Sequence, residues 1–340
     1  MQAVPVQNSI GMVLCHDITR IVPGESKGPA FKKGHIVTAE DIPTLLDIGK
    51  EHLYVLDLTE DQIHENEAAL RIAKAVSGEG ITFSDVSEGR VNLIASQGLL
   101  SIDVEKVHQI NAIEEVVLAT MHNGLNVLSE RPVAGTRIVP LVTDRAKVEE
   151  VEAVCAEGGP VIQVKPFKRH KVGVVTTGSE VYHGRITDKF GPVIRKKFHE
   201  LGSNVVEQVF VPDDQQMTTN AINKFLNDGV DFVVVTGGMS VDPDDRTPAS
   251  IRDTGADVVT YGSPTFPGAM FMLAYKNGRP IVGLPGCVMY YRASIFDLIV
   301  PRILAGETIT RRDITNLGHG GFCAGCDTCH FPLCSFGKSS

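Results

Sequence analysis

From residue 171 onward the chain alternates short apolar runs with amphipathic stretches, and this constrains its fold more than any other feature. "KVGVVTTG", "NVVEQVFV", "DFVVVTGG", "DVVTYG" and "RPIVGLPG" read as strands. Between them, "GPVIRKKFHELG" sets Ile194, Phe198 and Leu201 on one helical face with Gly202 as its stop. "TTNAINKFLNDG" reads as a second helix, and a long apolar helix is expected from about residue 288 to 304. Strands alternating with helices of this length predict an α/β fold on a mostly parallel sheet. In such sheets ligands bind beyond the carboxyl ends of the strands.

The chain upstream has a different texture. "HLYVLDL" reads as a strand, Pro23-Gly24 as a turn, and Thr38 as the N-cap of a helix carrying Asp41 in its first turn. Residues 61 to 77 read as a helix with Ile63, Ala68, Ile72 and Val76 near one face. Within it, "HENEA" lacks the second histidine of a zinc-protease HExxH, because position 68 is Ala, and reads as a solvated face. The glycines, prolines and basic residues of "AEGGPVIQVKPFKRHK" mark a boundary near residues 157 to 170. The expected organisation is an N-terminal α+β region (1–160), an α/β domain (170–306) and a cysteine-rich tail (307–340).

Composition narrows the function. The 43% hydrophobic and 21% charged residues are values for a soluble globular protein. A net charge of −9 argues against phosphate-driven nucleic-acid binding. The absence of tryptophan argues against a base-stacking platform. The chain shows no secretory-type start and no apolar run of membrane-spanning length, so a cytoplasmic protein without membrane contact is expected.

Three strand ends hold the chemistry: "TTGSE" (176–180), "TGGMSVDPDD" (236–245) and "GLPGC" (283–287). Glycine after a buried strand lets the chain turn tightly and brings amide N–H groups to a ligand, and the threonine and serine hydroxyls add donors. Such loops bind an oxyanion. Carboxylates crowd the same loops and their neighbours: Glu180, Asp213, Asp214, Asp242, Asp244 and Asp245. They would repel an anion unless a cation intervened, and Mg²⁺ shares its oxygen shell between carboxylates and phosphates.

These motifs resemble the molybdopterin-binding domain of molybdenum-cofactor biosynthesis proteins, found in the MogA-type adenylyltransferase and the MoeA-type molybdenumtransferase. "VTTGSEV", "VFVPDD", "TGGMSVDPDD" and "PGAMFMLAYKNGRPIVGLPG" follow the family's motifs in order over residues 170 to 306. The resemblance implies a three-layer MogA-like sheet, with Glu180, Asp213 and Asp245 as catalytic acids. It places the pterin cofactor on Thr177, Gly178, Ser179, Gly237, Gly238, Ser240, Pro285 and Gly286, with Gly237, Gly238 and Ser240 on the phosphate loop, and a metal at Asp242 and Asp245. The implied reaction joins adenylated molybdopterin and molybdate, with Mg²⁺, to give metal-loaded cofactor and AMP. The alternatives are adenylation of molybdopterin, or a non-catalytic cofactor carrier or metal/redox sensor. A homo-oligomer is expected, with molybdoenzyme apoproteins as partners. Three positions depart from the pattern: Asp242 replaces the loop glycine, Ala269 replaces a lysine, and Gly286-Cys287-Val288 replaces Gly-Asn-Pro. The whole chain also resembles a group of anaerobe-type molybdopterin-binding proteins with a cysteine-rich end.

That end, "HGGFCAGCDTCHFPLC", places Cys323, Cys326, Cys329 and Cys334 in C-x2-C-x2-C-x4-C spacing. Four thiolates this close in sequence suit a tetrahedral Zn²⁺ site or an iron–sulfur cluster.

Overall fold

The computed structural model describes residues 2–22, 26–128 and 130–338. The Pro23-Gly24 turn lies outside the described residues. The chain divides into two compact units, one of residues 1–96, 101–121 and 130–164, the other of 97–100, 122–129 and 165–340. Among the described residues no helix is long and apolar enough to cross a membrane.

The second unit is built on a six-stranded sheet. Its strands are β1 (Lys171–Thr177), β2 (Asn204–Val211), β3 (Phe232–Thr236), β4 (Asp257–Tyr261), β5 (Met272–Lys276) and β6 (Arg279–Leu284), in the order β2-β1-β3-β6-β5-β4. The first four in that order run parallel, while β5 and β4 close one edge antiparallel. Alternate residues of one strand face opposite helical layers, as a pleated strand requires. Val172, Val174, Phe232, Val234 and Val282 pack on α1 (Phe190–Glu200) and on a second helix, Ile295–Leu304. Val175, Val233, Val235 and Ile281 face α2 (Gln215–Asn227) and α3 (Thr247–Asp253), the other layer. The result is a three-layer α/β fold with a mostly parallel sheet.

The expected helix over 288–304 is two helices: a short turn, Cys287–Tyr290, and α4, Ile295–Leu304. The break falls at Ser294. Its hydroxyl caps the Phe296 amide while the Asp297 carboxylate accepts from the Ser294 amide, so a capping box starts a new helix inside an apolar run. A last helix, α5 (Arg311–Asn316), adds Ile314 to the same core.

The first unit is antiparallel α+β. One three-stranded sheet joins Gln2–Pro5, His52–Leu56 and Val13–Leu14, and a four-stranded sheet joins Val116–Thr120, Arg131–Ile138, Arg90–Ala95 and Ile81–Phe83. The early helix spans Asp41–Asp47 and so starts later than a Thr38 N-cap would place it; the Thr38 amide and hydroxyl instead donate to the Asp41 carboxylate. The second expected helix starts at Glu65, because Gln62–His64 is a strand paired with Val142–Asp144. The reading of "HENEA" as a solvated face is overturned at its first two residues: His64 is 2% and Glu65 5% exposed. The strand pairing carries His64 inward, and the turns at Gly34 and Gly89 close over Glu65.

Candidate functional site

The chain leaves β1 for β2 on one side and later enters β3 on the other, so the strand order reverses between β1 and β3. A crevice is expected at the carboxyl ends of these strands, and the structure has one of about 1000 Å³ there. All three loops singled out from the sequence meet in its wall. Thr176, Thr177 and Glu180 come from the end of β1, Gly237, Gly238, Ser240 and Asp245 from the end of β3, and Pro285 and Gly286 from the end of β6.

Local chemistry explains the shape of this wall. Gly237 and Gly238 both lie at positive φ, +86° and +55°. A Cβ on Gly237 would sit 2.2 Å from the Thr177 carbonyl oxygen, so only glycine lets the two loops approach this closely. Thr247 fastens the turn: its hydroxyl donates to the Gly237 carbonyl at 2.8 Å, and its amide donates to the Gly238 carbonyl at 3.1 Å. Gly178, at φ +141°, starts a short helical turn, Ser179–Tyr182, that carries Glu180 to the cavity.

The acids divide by location. Glu180 and Asp245 line the cavity. Asp245 is held by its own loop, since its carboxylate accepts the Asp242 amide at 3.0 Å and its amide donates to the Asp242 carbonyl at 2.9 Å. Asp213 stands behind the wall: its carboxylate accepts the Ser179 amide at 2.9 Å and so anchors the turn bearing Glu180. Asp214 caps α2 through the Met217 amide. Asp242 and Asp244 are exposed on the loop, and Gly178, Ser179, Asp213 and Asp242 are not among the lining residues.

Asp188, Lys189 and Tyr290 are among the lining residues that escaped the sequence reading. Asp188 faces the cavity from the head of α1. Its carboxylate accepts the Phe190 and Gly191 amides, and Gln208 on β2 donates to it at 2.7 Å. The same Gln208 amide donates to Thr176 Oγ1, so one side chain ties helix and strand together. An Asp two residues before a helix is an ordinary capping signal, and "TDKFGP" could have been read that way. Tyr290, 80% exposed, stands at the rim.

Cys287 follows the cavity wall at Gly286; it is half-buried, and burial pushes its thiol above the ordinary value. The tail cysteines are free, with Cys326 exposed and the other three half-buried. Among the described residues no three His, Cys, Asp or Glu side chains are grouped as a metal shell, so Cys323, Cys326, Cys329 and Cys334 do not converge as they stand.

A doubly wound domain with amide-rich glycine loops and two carboxylates at its switch point defines the class of oxyanion-binding α/β domains. Residues 173–305 match the family model described as "Probable molybdopterin binding domain", and residues 3–57 match a domain of unknown function. The molybdopterin molybdenumtransferase of Staphylococcus aureus is 29% identical over 131 residues, 36% of this chain and 31% of that protein. The molybdopterin molybdenumtransferase of Bacillus subtilis is 27% identical over 197 residues, 53% of this chain and 43% of that protein. The chain thus spans less than half the length of these curated relatives. The solved structure of the tungsten cofactor synthesizing protein MoaB from Pyrococcus furiosus aligns at 25% identity and a TM-score of 0.31, covering 36% of this chain and 84% of that one. Residues 173–305 of the α/β unit are thus similar to the molybdopterin-binding domain, and the chain is similar over part of its length to these molybdenumtransferases.

Proposed function

We propose that the α/β unit binds molybdopterin at the crevice beyond β1, β3 and β6, and that the protein inserts molybdate into adenylated molybdopterin with release of AMP. One observation carries this reading: three glycine-bearing loops, far apart in sequence, meet at one cavity and bring Glu180 and Asp245 to it. The Gly237–Gly238 turn offers amides to a terminal phosphate, and the Thr177 and Ser240 side chains stand beside it. Asp213 acts through the turn it anchors and holds Glu180 in place.

The donor set suits Mg²⁺. It is all oxygen, and two carboxylates with substrate phosphates are a usual shell for this ion. Asp245 and Glu180 would hold it, with Asp242 on the same loop. Bound there, the ion would supply charge neutralisation on the phosphate oxygens as AMP departs. The chain's own part is to orient the phosphate by backbone amides and keep the two acids fixed near it.

A carrier without turnover is the second reading. It is supported by Ala269 at the family's lysine position and by Lys189 as the one cation lining the cavity among the described residues. The soft-metal reading of the tail, Zn²⁺ or an iron–sulfur cluster, is supported by the cysteine spacing and by the four free thiols.

The deciding experiment is anaerobic. Protein is given adenylated molybdopterin, Mg²⁺ and molybdate, and AMP is measured. Molybdate-dependent AMP release that disappears in Asp245→Asn, with pterin binding kept, is the expected result. Tight binding with no AMP released from the wild type establishes the carrier instead.

A further inference from the structure

The first unit contains a polar cavity of about 410 Å³ that the reading above does not use. Its innermost acid is Glu65, at the head of the helix Glu65–Val76 and over nine-tenths buried. Both carboxylate oxygens are faced by glycine α-carbons. A Cβ on Gly34 would lie 2.7 Å from Oε1, and a Cβ on Gly89 would lie 2.3 Å from Oε2. These glycines sit at φ +86° and +69°. Gly89 belongs to a two-residue hairpin turn in which Glu88 also takes positive φ, +51°, and Ser87 and Arg90 exchange hydrogen bonds. Two left-handed turns thus close on one carboxyl group, and among the described residues no side chain donates a hydrogen bond to it.

A buried carboxylate is ordinarily paired and hydrogen-bonded. Here the nearest cation, Arg137 Nη2, is 3.7 Å away, beyond hydrogen-bond reach. Burial pushes the Glu65 carboxyl above its ordinary value, although His64, Arg137 and Lys33 pull it down. Next to it in the chain, the His64 Nε2 atom is buried without a partner.

The other charges of the cavity sort into engaged and free. Lys32 and Glu88 satisfy each other at 2.5 Å, and the Asp17 carboxylate accepts the Lys33 amide at 2.7 Å. Arg137 Nε donates to the Ile138 carbonyl, and its Nη2 faces the Glu65 carboxylate at 3.7 Å. Among the described residues of the cavity, the groups left without a hydrogen bond are the Glu65 carboxylate in the depth, which Arg137 Nη2 faces at 3.7 Å, and, at the mouth, the Lys33 ammonium and the outer guanidinium nitrogens of Arg137. A simple anion would bind at the mouth and leave Glu65 uncompensated. A simple cation would leave the Lys33 ammonium without an anion. A hard divalent ion would need several oxygen donors where one buried carboxylate is on offer.

We infer that this cavity binds a small zwitterion of amino-acid type, its ammonium group on Glu65 and its anionic group on Lys33 and Arg137. The volume is in the range of small-ligand sites. Each charged contact is replaceable by a neutral side chain of similar size, which makes the assignment testable.

The test is calorimetric titration of the full chain with glycine and with 4-aminobutyrate, zwitterions of two lengths. Ammonium chloride, sodium acetate and sodium molybdate serve as single-sign controls. Saturable binding of a zwitterion, with none of the controls binding comparably, is expected. Glu65→Gln and Lys33→Met should each weaken it about tenfold or more, the scale of one charge-assisted hydrogen bond. Failure of both zwitterions to bind overturns the inference, as does equal binding of a single-sign ion. Lys33 is exposed, so Lys33→Met keeps the test decisive if Glu65→Gln does not fold: unchanged affinity in that variant also overturns it.

Discussion

Gly237 acts through the side chain it lacks. Replacing it with Ala puts a Cβ 2.2 Å from a backbone carbonyl and holds a non-glycine residue at φ +86°, so the loop must shift. Left-handed strain alone costs about 1–3 kcal/mol. Gly255→Ala is the matched control, with a similar φ of +76° and open space around its Cβ. Urea denaturation should show Gly237→Ala losing clearly more stability than Gly255→Ala, and only the former losing pterin binding. Asp313 provides a second residue-level prediction. Burial raises its carboxyl, but the Thr310 hydroxyl and amide and the Arg302 guanidinium outweigh it and hold the value at about 2. A folded-state value below the unfolded one stabilises the fold above the unfolded value, and this contribution is lost as pH falls toward 2. Solvent screening of these partly exposed pairs leaves about 1 kcal/mol. Asp313→Asn should therefore be less stable at neutral pH and lose less stability than wild type between about pH 5 and pH 2.

At the scale of elements, helix α4 depends on its own start signal. Ser294 is fully buried and closes a capping box with Asp297, so Ser294→Ala should cost about 1 kcal/mol in chemical denaturation and leave the sheet intact. That signal was present in the sequence as Ser-x-x-Asp, but the apolar run around it reads as one helix. Strand β5 was not read, although Asn277-Gly278 marks the tight turn to β6, with φ +50° and +74°. The four parallel strands and helices α1 and α2 could be read directly, because strand and helix periodicities are local; the short helix α3 was not read. The convergence of Glu180, Asp245 and the GLPG loop followed from the rule for strand ends. Asp188 was missed because it lies on a helix cap. The burial of His64 and Glu65 was illegible for a different reason: pairing with Val142–Asp144 buries His64 and the turns at Gly34 and Gly89 close over Glu65, all distant from them in sequence.

Over the whole molecule, the tail is part of the α/β unit's packing. The Gly337 amide donates to the Gly320 carbonyl at 2.9 Å and closes residues 320–337 into a loop. Phe266 and the tail exchange backbone hydrogen bonds, its amide donating to the Gly321 carbonyl and its carbonyl accepting the Cys323 amide. Phe336 is 3% exposed, and Gly337 packs so tightly on Leu298 of α4 that a Cβ there would overlap its side chain. Burial of one phenylalanine contributes about 1.5–3 kcal/mol. Ending the chain at Gly318 should therefore lower stability by at least this amount, although it removes no helix or strand of the sheet. Changing Cys323, Cys326, Cys329 and Cys334 to Ser together separates packing from metal binding. If the loop is held by packing alone, the quadruple variant and the wild type should denature within about 0.5 kcal/mol of each other, and a chelator should change neither. If the thiolates hold Zn²⁺ or a cluster, the wild type should exceed the variant by much more than this and fall to its level when the metal is stripped, because metal binding is then part of the folding free energy.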